Sequence, residues 1–402
     1  MDSNQLAARE VLLRPRDPII ARDGRPFAAT PGAQAISLPW PLPSTTAGAL
    51  RTQIGNSLAF DWLKDGPDRA RGITVHGPLM LARRSGDAGW QVYVAAPRDA
   101  LIVDAAATDA ARREHRMSAL HPYDADELPA EAGCDLPAGL RPLRIPGVGK
   151  PVSGYTYWPL AACAEWLAAP TPAEQAPPAR TLNTLPLDAR MHVKIDPQTR
   201  AAAQGYLFGT VGLAFADAPH ADPNTDKEST ARALLCRVSG QEVGAWTSAE
   251  SAFVTLGGER RLAALGPGDG LWPRRPHQGL RDVLRGARRL RLLLVTPALF
   301  AGGWRPGWLD DNLEGSPPGL PEARLRLVAA AVGRQAPVSG WVLQRRRPKA
   351  ARYTVPAGSV YFFDVVAGSL DDRGIETLWM AALSDEPQDR ADGFGLSLLG
   401  VW

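Results

Sequence analysis

Cysteine is scarce in this chain: its 402 residues include three, Cys134, Cys163 and Cys236, and no two are spaced as CxxC. That excludes a disulfide framework and a four-cysteine zinc site, and it fits a reducing cytoplasm. Histidine is also sparse, and none of His76, His115, His121, His192, His220 and His277 pairs with another at i+3 or i+4. No window approaches the roughly 18 unbroken apolar residues that a membrane span needs. The opening Met1-Asp2-Ser3-Asn4 has no basic region followed by an apolar core, so no secretory leader is expected. Charge of one sign barely prevails: 45 Lys and Arg stand against 42 Asp and Glu, a net +3. Whole-chain charge therefore makes no case for nucleic acid.

The length exceeds a single typical core, which predicts two domains with insertions. The distribution of charge says more than its sum. Residues 271–291 hold seven arginines and one acid, Asp282, and residues 323–363 hold eight Lys or Arg and no acid. Such clusters can supply phosphate contacts even in a nearly neutral protein. Solvated strand and loop faces are the plain alternative.

Strand patterns fall at 11–21, 73–81, 90–95, 191–195, 205–215, 233–238, 289–296, 324–331, 339–343, 353–364 and 396–402, with a short helix near 375–383. After a Pro-rich loop at 38–43, Ser44-Thr45-Thr46 precedes Ala-Gly-Ala-Leu-Arg, a helix start with Ser44 or Thr45 as N-cap. Residues 61–185 read as a long elaboration. The regular βαβ alternation of a doubly wound sheet is missing, so the expected class is α+β in two units.

The most informative segment runs from Arg22-Asp23-Gly24-Arg25-Pro26-Phe27 to Leu38-Pro39-Trp40-Pro41-Leu42-Pro43-Ser44-Thr45-Thr46-Ala47-Gly48-Ala49-Leu50-Arg51. It sets two arginines beside the free amides of a helix N-terminus, where backbone phosphate is a natural ligand. It reads equally as a proline-stiffened loop entering a helix, with Gly48 allowing close packing on a sheet.

These residues also resemble a known family. A first strand, a "GRPF" turn and "PLPSTTAGALR" opening the first helix are similar to the third subunit of the Cmr complex, the type III-B CRISPR effector, in the RAMP superfamily. Gly149 to Tyr155, His192-Val193-Lys194-Ile195-Asp196 with Gly205-Tyr206-Leu207-Phe208, and Leu256-Gly257-Gly258-Glu259-Arg260-Arg261 continue the resemblance. So do Val355 to Phe363 and Asp392-Gly393-Phe394-Gly395. The fit is poor across 98–145 and 215–235. The resemblance implies tandem ferredoxin-like (RRM-like) domains that grip the 5′ handle of the CRISPR RNA without cutting it. It also implies contacts with the large polymerase/cyclase-like subunit and the first backbone RAMP subunit.

Independently of the family, Gly257, Gly258, Gly393 and Gly395 lack a β-carbon, so RNA backbone could approach their amides; ordinary turn chemistry is the alternative. Arg260 and Arg261 add charge beside the first pair.

No catalytic set assembles. His115, His121 and Cys134 do not have zinc spacing. His192, with Lys194 on the same strand face, is the best general-base candidate, although a hydrogen-bonded sheet histidine explains it as well. Gly147-Val148-Gly149-Lys150 is no P-loop, because Arg144 and Pro151 stand where Gly and Ser/Thr are required. Asp310-Asp311 and Asp371-Asp372 read as turns. Among twelve tryptophans, Trp40, Trp272, Trp304, Trp308 and Trp341 lie near arginines, where base stacking or core packing would use them.

The resulting expectation is two ferredoxin-like domains, 1–270 with an insertion at about 61–185, and 280–402, with RNA across the cleft between them. The expected RNA contacts are Arg22, Arg25, Ser44, Thr45, Thr46, Arg51, Lys194, Gly257, Gly258, Arg260, Arg261, Gly393 and Gly395. The basic loop 345–352, with Arg345, Arg346 and Arg347, is expected to meet RNA or a partner. No metal, cofactor or membrane is expected. A RAMP endoribonuclease that processes CRISPR RNA is the competing enzyme reading, disfavoured because 44–60 has neither His nor Tyr. The equivalent subunit of a type III-A or III-D complex, and a protein-interaction module with incidental arginine clusters, are further alternatives.

Overall fold

The first strand, β1 (Ala8–Pro15), ends where Pro15 and Pro18 interrupt the ladder, since proline has no N–H to donate. The pattern expected to run to residue 21 therefore breaks, and Ile19 and Ile20 make only isolated bridges, to Leu213 and Gly258. The computed structural model describes residues 7–23, 34–104, 115–124, 126–127, 135–145, 149–169, 174–215, 230–247, 252–342 and 347–402.

In chain order there follow β2 (Gln34–Ile36), α1 (Pro43–Ser57), β3 (Thr74–Arg84), β4 (Gln91–Ala95), β5 (Tyr157–Pro159) and α2 (Leu160–Ala168). Then come β6 (Leu187–Ile195), β7 (Ala202–Leu213), β8 (Thr230–Ser239), β9 (Phe253–Thr255) and β10 (Leu262–Pro267). Seven of these strands form one sheet in the order β9-β10-β1-β8-β3-β4-β5. β8 runs antiparallel to both β1 and β3, so β1 and β3, joined through α1, lie parallel with β8 between them. That is a split βαβ arrangement. Residues 61–185, expected as an insertion, thus give the sheet three strands, β3, β4 and β5. The reason is visible in β3, whose central six residues are all buried.

The second half opens with α3 (Gln278–Leu284) and β11 (Arg289–Leu294). It continues with β12 (Glu314–Gly315), β13 (Arg324–Ala331), β14 (Ala336–Val338), β15 (Arg352–Thr354), β16 (Val360–Ala367), α4 (Asp372–Leu378), α5 (Pro387–Ala391) and β17 (Ser397–Val401). Its sheet has the order β12-β13-β16-β11-β17, and β16 is antiparallel to both β11 and β13. The same split arrangement recurs, with the helices moved to the last connection. The strand expected at 353–364 is broken into β15 and β16 by a turn in which Gly358 takes φ +85°. A β-carbon there would lie 2.6 Å from the Ala96 carbonyl, so the turn is also a close contact with the first half.

Side-chain alternation explains how the layers stack. Val11 and Leu13 pack with Leu50 and Ile54 of α1 on one face of the first sheet. Leu12, Leu79, Leu81 and Leu235 pack on the other face, in one continuous core with Leu290, Leu292, Phe362 and Leu399 of the second. The central strands are buried on both faces, which is why they read as unbroken apolar runs. The fold is α+β with antiparallel sheets and few helices, and among the described residues no helix is long and apolar enough to cross a membrane.

A two-stranded ribbon, β6 with β7, extends from this body, with β2 pairing parallel to β7. Asp196 shapes its tip by accepting from the Gln198 and Thr199 amides at 2.8 and 2.9 Å, which holds its carboxyl below the usual range. One face of β6 exposes Leu187, Met191, Val193 and Ile195, and the other carries Arg190, His192 and Lys194.

Candidate nucleic-acid interface

Helix α1 begins two or three residues earlier than its sequence suggests. Pro43 occupies the first turn, Leu42 is the N-cap, and no side chain caps the helix. Proline favours that position because its φ is already helical and its missing N–H would be unpaired anyway. Ser44 and Thr45 are therefore first-turn residues and not caps; the Thr45 amide turns back to the Leu42 carbonyl at 2.9 Å. The turn contains no acid, so the positive end of the helix dipole is left open.

A cavity of about 220 Å³ opens at this end. Arg22, Ser44 and Thr45 line it from the first half, and Lys349, Arg352 at the start of β15, and Asp392 from the second. The backbone at Lys349 is fixed by two hydrogen bonds. Its amide donates to Gly340 O at 2.8 Å, and its carbonyl accepts from Ser339 Oγ at 2.8 Å. Arg352 grips Asp389 with two bonds, at 2.6 and 2.8 Å, and the hydrogen-bonded carboxylate raises its pKa further. Lys349 forms no ion pair among the described residues. The arrangement can hold an anion between a helix N-terminus and side-chain cations drawn from both halves of the chain.

Several residues expected at RNA are placed elsewhere. Thr46 is fully buried, and its hydroxyl donates to the Pro43 carbonyl at 3.0 Å. Arg51 is turned inward: it pairs with Asp392, and its Nε and Nη2 donate to Ile73 O and Ala391 O. It ties α1 to α5 and is not a surface contact. Gly393 and Gly395 are buried with φ of +92° and +81°, and a β-carbon on Gly393 would sit 2.7 Å from Val75 O. Gly393 lets the last loop press against β3, and Gly395 lets it press against Leu383 and Ser384.

The Gly257-Gly258 turn docks on Ile20, whose carbonyl accepts from the Gly258 amide at 2.7 Å. Gly257 is exposed but takes φ +75° against that same carbonyl, so its role is close approach within the protein. Arg260 is exposed and has no ion-pair partner among the described residues, whereas Arg261 donates to Glu259 at 2.8 Å. Lys194 lies on the polar face of the ribbon with Nζ 4.6 Å from the Tyr206 ring centre. His192 bonds Thr210 Oγ1 at 2.9 Å and stacks on Phe208, as a structural sheet histidine does. Arg347 is exposed. Arg25, Arg345 and Arg346 lie outside the described residues.

The two basic stretches fare differently in three dimensions. All seven arginines of 271–291 have partners inside the protein: Arg274 meets Glu10, Arg275 Glu376, Arg281 Asp372, Arg285 Asp282, Arg288 the Gly368 carbonyl, Arg289 Asp124 and Arg291 Asp99. Each of these cations thus has a partner within the protein. In 323–363, Arg324, Arg326 and Arg352 are paired, while Arg334, Arg347 and Lys349 meet no acid among the described residues.

Catalytic chemistry finds little support in the described residues. No cluster of three His, Cys, Asp or Glu there could hold a metal. Cys163 and Cys236 are buried, and burial pushes both thiols up, Cys236 to about 12, so neither is a thiolate at neutral pH. Cys134 lies outside the described residues. Trp272 is buried, and Trp308 stacks on Phe363, so core packing uses these two of the five singled-out tryptophans.

No curated protein matches the chain in sequence. Among solved structures, a chain of the cryo-EM structure of the Type III-B Cmr-beta bound to cognate target RNA is 16% identical, with a TM-score of 0.44. A chain of the same assembly bound to cognate target RNA and AMPPnP, state 1, is 15% identical, with a TM-score of 0.43. Each alignment covers 88% of this chain and 86% of the other. A family model described as CRISPR-associated protein (Cas_Cmr3) matches residues 11–402, nearly the whole length, and the chain belongs to that family.

Proposed function

We propose that this type III-B CRISPR effector subunit is a non-catalytic RNA-gripping protein that holds the 5′ handle of the CRISPR RNA. In this reading two ferredoxin-like units, about 1–270 and 280–402, meet at the handle. The chain bridges the large polymerase/cyclase-like subunit to the first backbone RAMP subunit, in the cytoplasm. The observation that carries the reading is the convergence of Arg22, Lys349 and Arg352 on the open N-terminus of α1, in a cavity built by both halves. A phosphodiester backbone supplies the evenly spaced anions that such a cradle selects. Arg260 and the Lys194–Tyr206 pair on the ribbon are secondary contacts.

Binding of single-stranded repeat RNA, followed by fluorescence anisotropy across a salt series, tests this. Wild type should lose affinity linearly on a log–log plot. Lys349→Ala should bind more weakly with a slope reduced by about 0.7. An unchanged slope in folded Lys349→Ala protein would remove the cradle from the RNA path. Incubation of the same RNA with Mg²⁺ or Mn²⁺ should give no cleavage; cleavage abolished by His192→Ala would replace this reading with an endoribonuclease.

A further inference from the structure

We infer that the apolar cleft next to the cradle receives one unpaired nucleobase of the RNA whose backbone the cradle holds. The inference rests on the reading of the cradle given above and adds a ligand class to a separate cavity. The cleft measures about 540 Å³ and opens between the first sheet and the β14–β15 side of the second half. Trp40, Tyr93 and Tyr157 line one wall, and Pro297 and Val338 the other. Leu42 and Val338 line both this cleft and the cradle, so the two cavities share a wall.

A nucleotide has the same two-part chemistry as this pair of cavities: a charged phosphate joined to a flat, aromatic base. Proteins that read single-stranded RNA splay bases out of the stack and lay them on aromatic rings. Trp40 is suited to that. Its Nε1 is tied to the Pro78 carbonyl at 3.3 Å, and its ring leans on Tyr157 and Phe215 at tilts of 51° and 45°. The indole is thus positioned by the protein before any ligand arrives. At the rim, the Arg98 guanidinium lies over Gly333, where an added β-carbon would come within 2.5 Å of it. Thr156 and Thr184 also reach the lining. These hydrogen-bonding groups match the donors and acceptors on a base edge, and an aliphatic side chain from a partner protein would leave them unused.

The test uses the full chain and single-stranded repeat RNAs that carry 2-aminopurine at one position at a time, because its emission reports stacking. Thr184→Trp and Ala357→Phe fill the cleft from its lining without touching a cradle residue, and thermal melts check folding. One position should respond far more than its neighbours on binding wild type. In the filled variants that response should vanish and affinity should fall roughly tenfold, since one base stack is lost. The salt slope should not change. If no position responds while the salt slope is intact, the base pocket is overturned and the cradle stands. If the slope itself is absent, the cradle reading fails and takes the pocket with it. Filled variants that bind RNA normally but fail to join neighbouring subunits would assign the cleft to protein and overturn the inference.

Discussion

Arg291 Nη1 donates to Asp99 Oδ2 at 2.6 Å, and neither side chain has more than 1% of its surface exposed. Arg291 lies in the middle of β11 in the second sheet, and Asp99 follows β4 of the first. Nη2 of the same guanidinium donates to the Trp166 and Ala169 carbonyls at 2.7 and 2.8 Å, and Trp166 Nε1 donates to Asp99 Oδ1 at 3.0 Å. Among the described residues Asp99 is the only counter-charge of Arg291. Asp99→Ala should therefore destabilise the fold by about 3–5 kcal/mol, because it strands a buried cation. Asp99→Leu combined with Arg291→Met should cost less than the single change. Urea midpoints of the three proteins decide; a single variant that loses less than its double would contradict this account.

Two cations that sequence alone treats alike should separate cleanly. Arg51 holds α1 to α5 through Asp392, Ile73 O and Ala391 O, with 11% of its side chain exposed. Lys349 lines the cradle without an acid partner. Arg51→Gln should lower the melting temperature, by an amount corresponding to about 2 kcal/mol or more, and leave the salt slope of RNA binding intact. Lys349→Ala should do the reverse.

Much of the architecture is legible in the sequence because strands buried on both faces leave apolar runs that need no partner to be recognised. β3, β8 and β13 fall within a few residues of their expected places. Boundaries set by single turns are harder: Gly358 turns the chain within 353–364 with its backbone close against the Ala96 carbonyl, some 260 positions away in the chain. The site was half readable. Arg22, Ser44 and Thr45 come together as their motif suggests. The arginine run at 271–291 misleads, since its neutralising acids, among them Glu10, Asp99 and Glu376, come from distant segments. Clustering in sequence records cations, and only the fold records which of them are already paired.

His76 gives the fold a pH dependence with a definite sign. It sits opposite Arg237 in the β3–β8 ladder, and burial, reinforced by that guanidinium, lowers its pKa to about 4. The folded protein thus keeps the imidazole neutral where the unfolded chain, near the ordinary 6.5, protonates it. Below 6.5 the unfolded state binds more protons, so stability falls as pH drops from about 6.5 towards 4 and is full above 6.5. The loss across that window should be on the order of 1–3 kcal/mol. His76→Gln should be less sensitive between pH 7 and 4.5, and denaturant titrations at several pH values would show it. An equal loss in both proteins would move the cause to other groups.

The Gly257-Gly258 turn lets charge be separated from structure at adjacent residues. Its backbone is locked on Ile20, so Arg260 is held outward at φ +52°, a left-handed conformation that is unfavourable for a residue with a β-carbon. Glycine has no such penalty. Arg260→Gly should consequently melt close to wild type, because the relieved strain of about 1 kcal/mol offsets the added chain entropy. If Arg260 meets a phosphate, the same variant should lose about 0.7 from the salt slope. Arg261 is the opposite case: 17% exposed and bonded to Glu259, it should lose up to about 1 kcal/mol of stability on change to Ala, with the slope unaltered. Paired melts and salt titrations of the two variants give four readings. A slope loss that follows Arg261 and spares Arg260 would show that the turn meets RNA through its paired arginine, against this geometry.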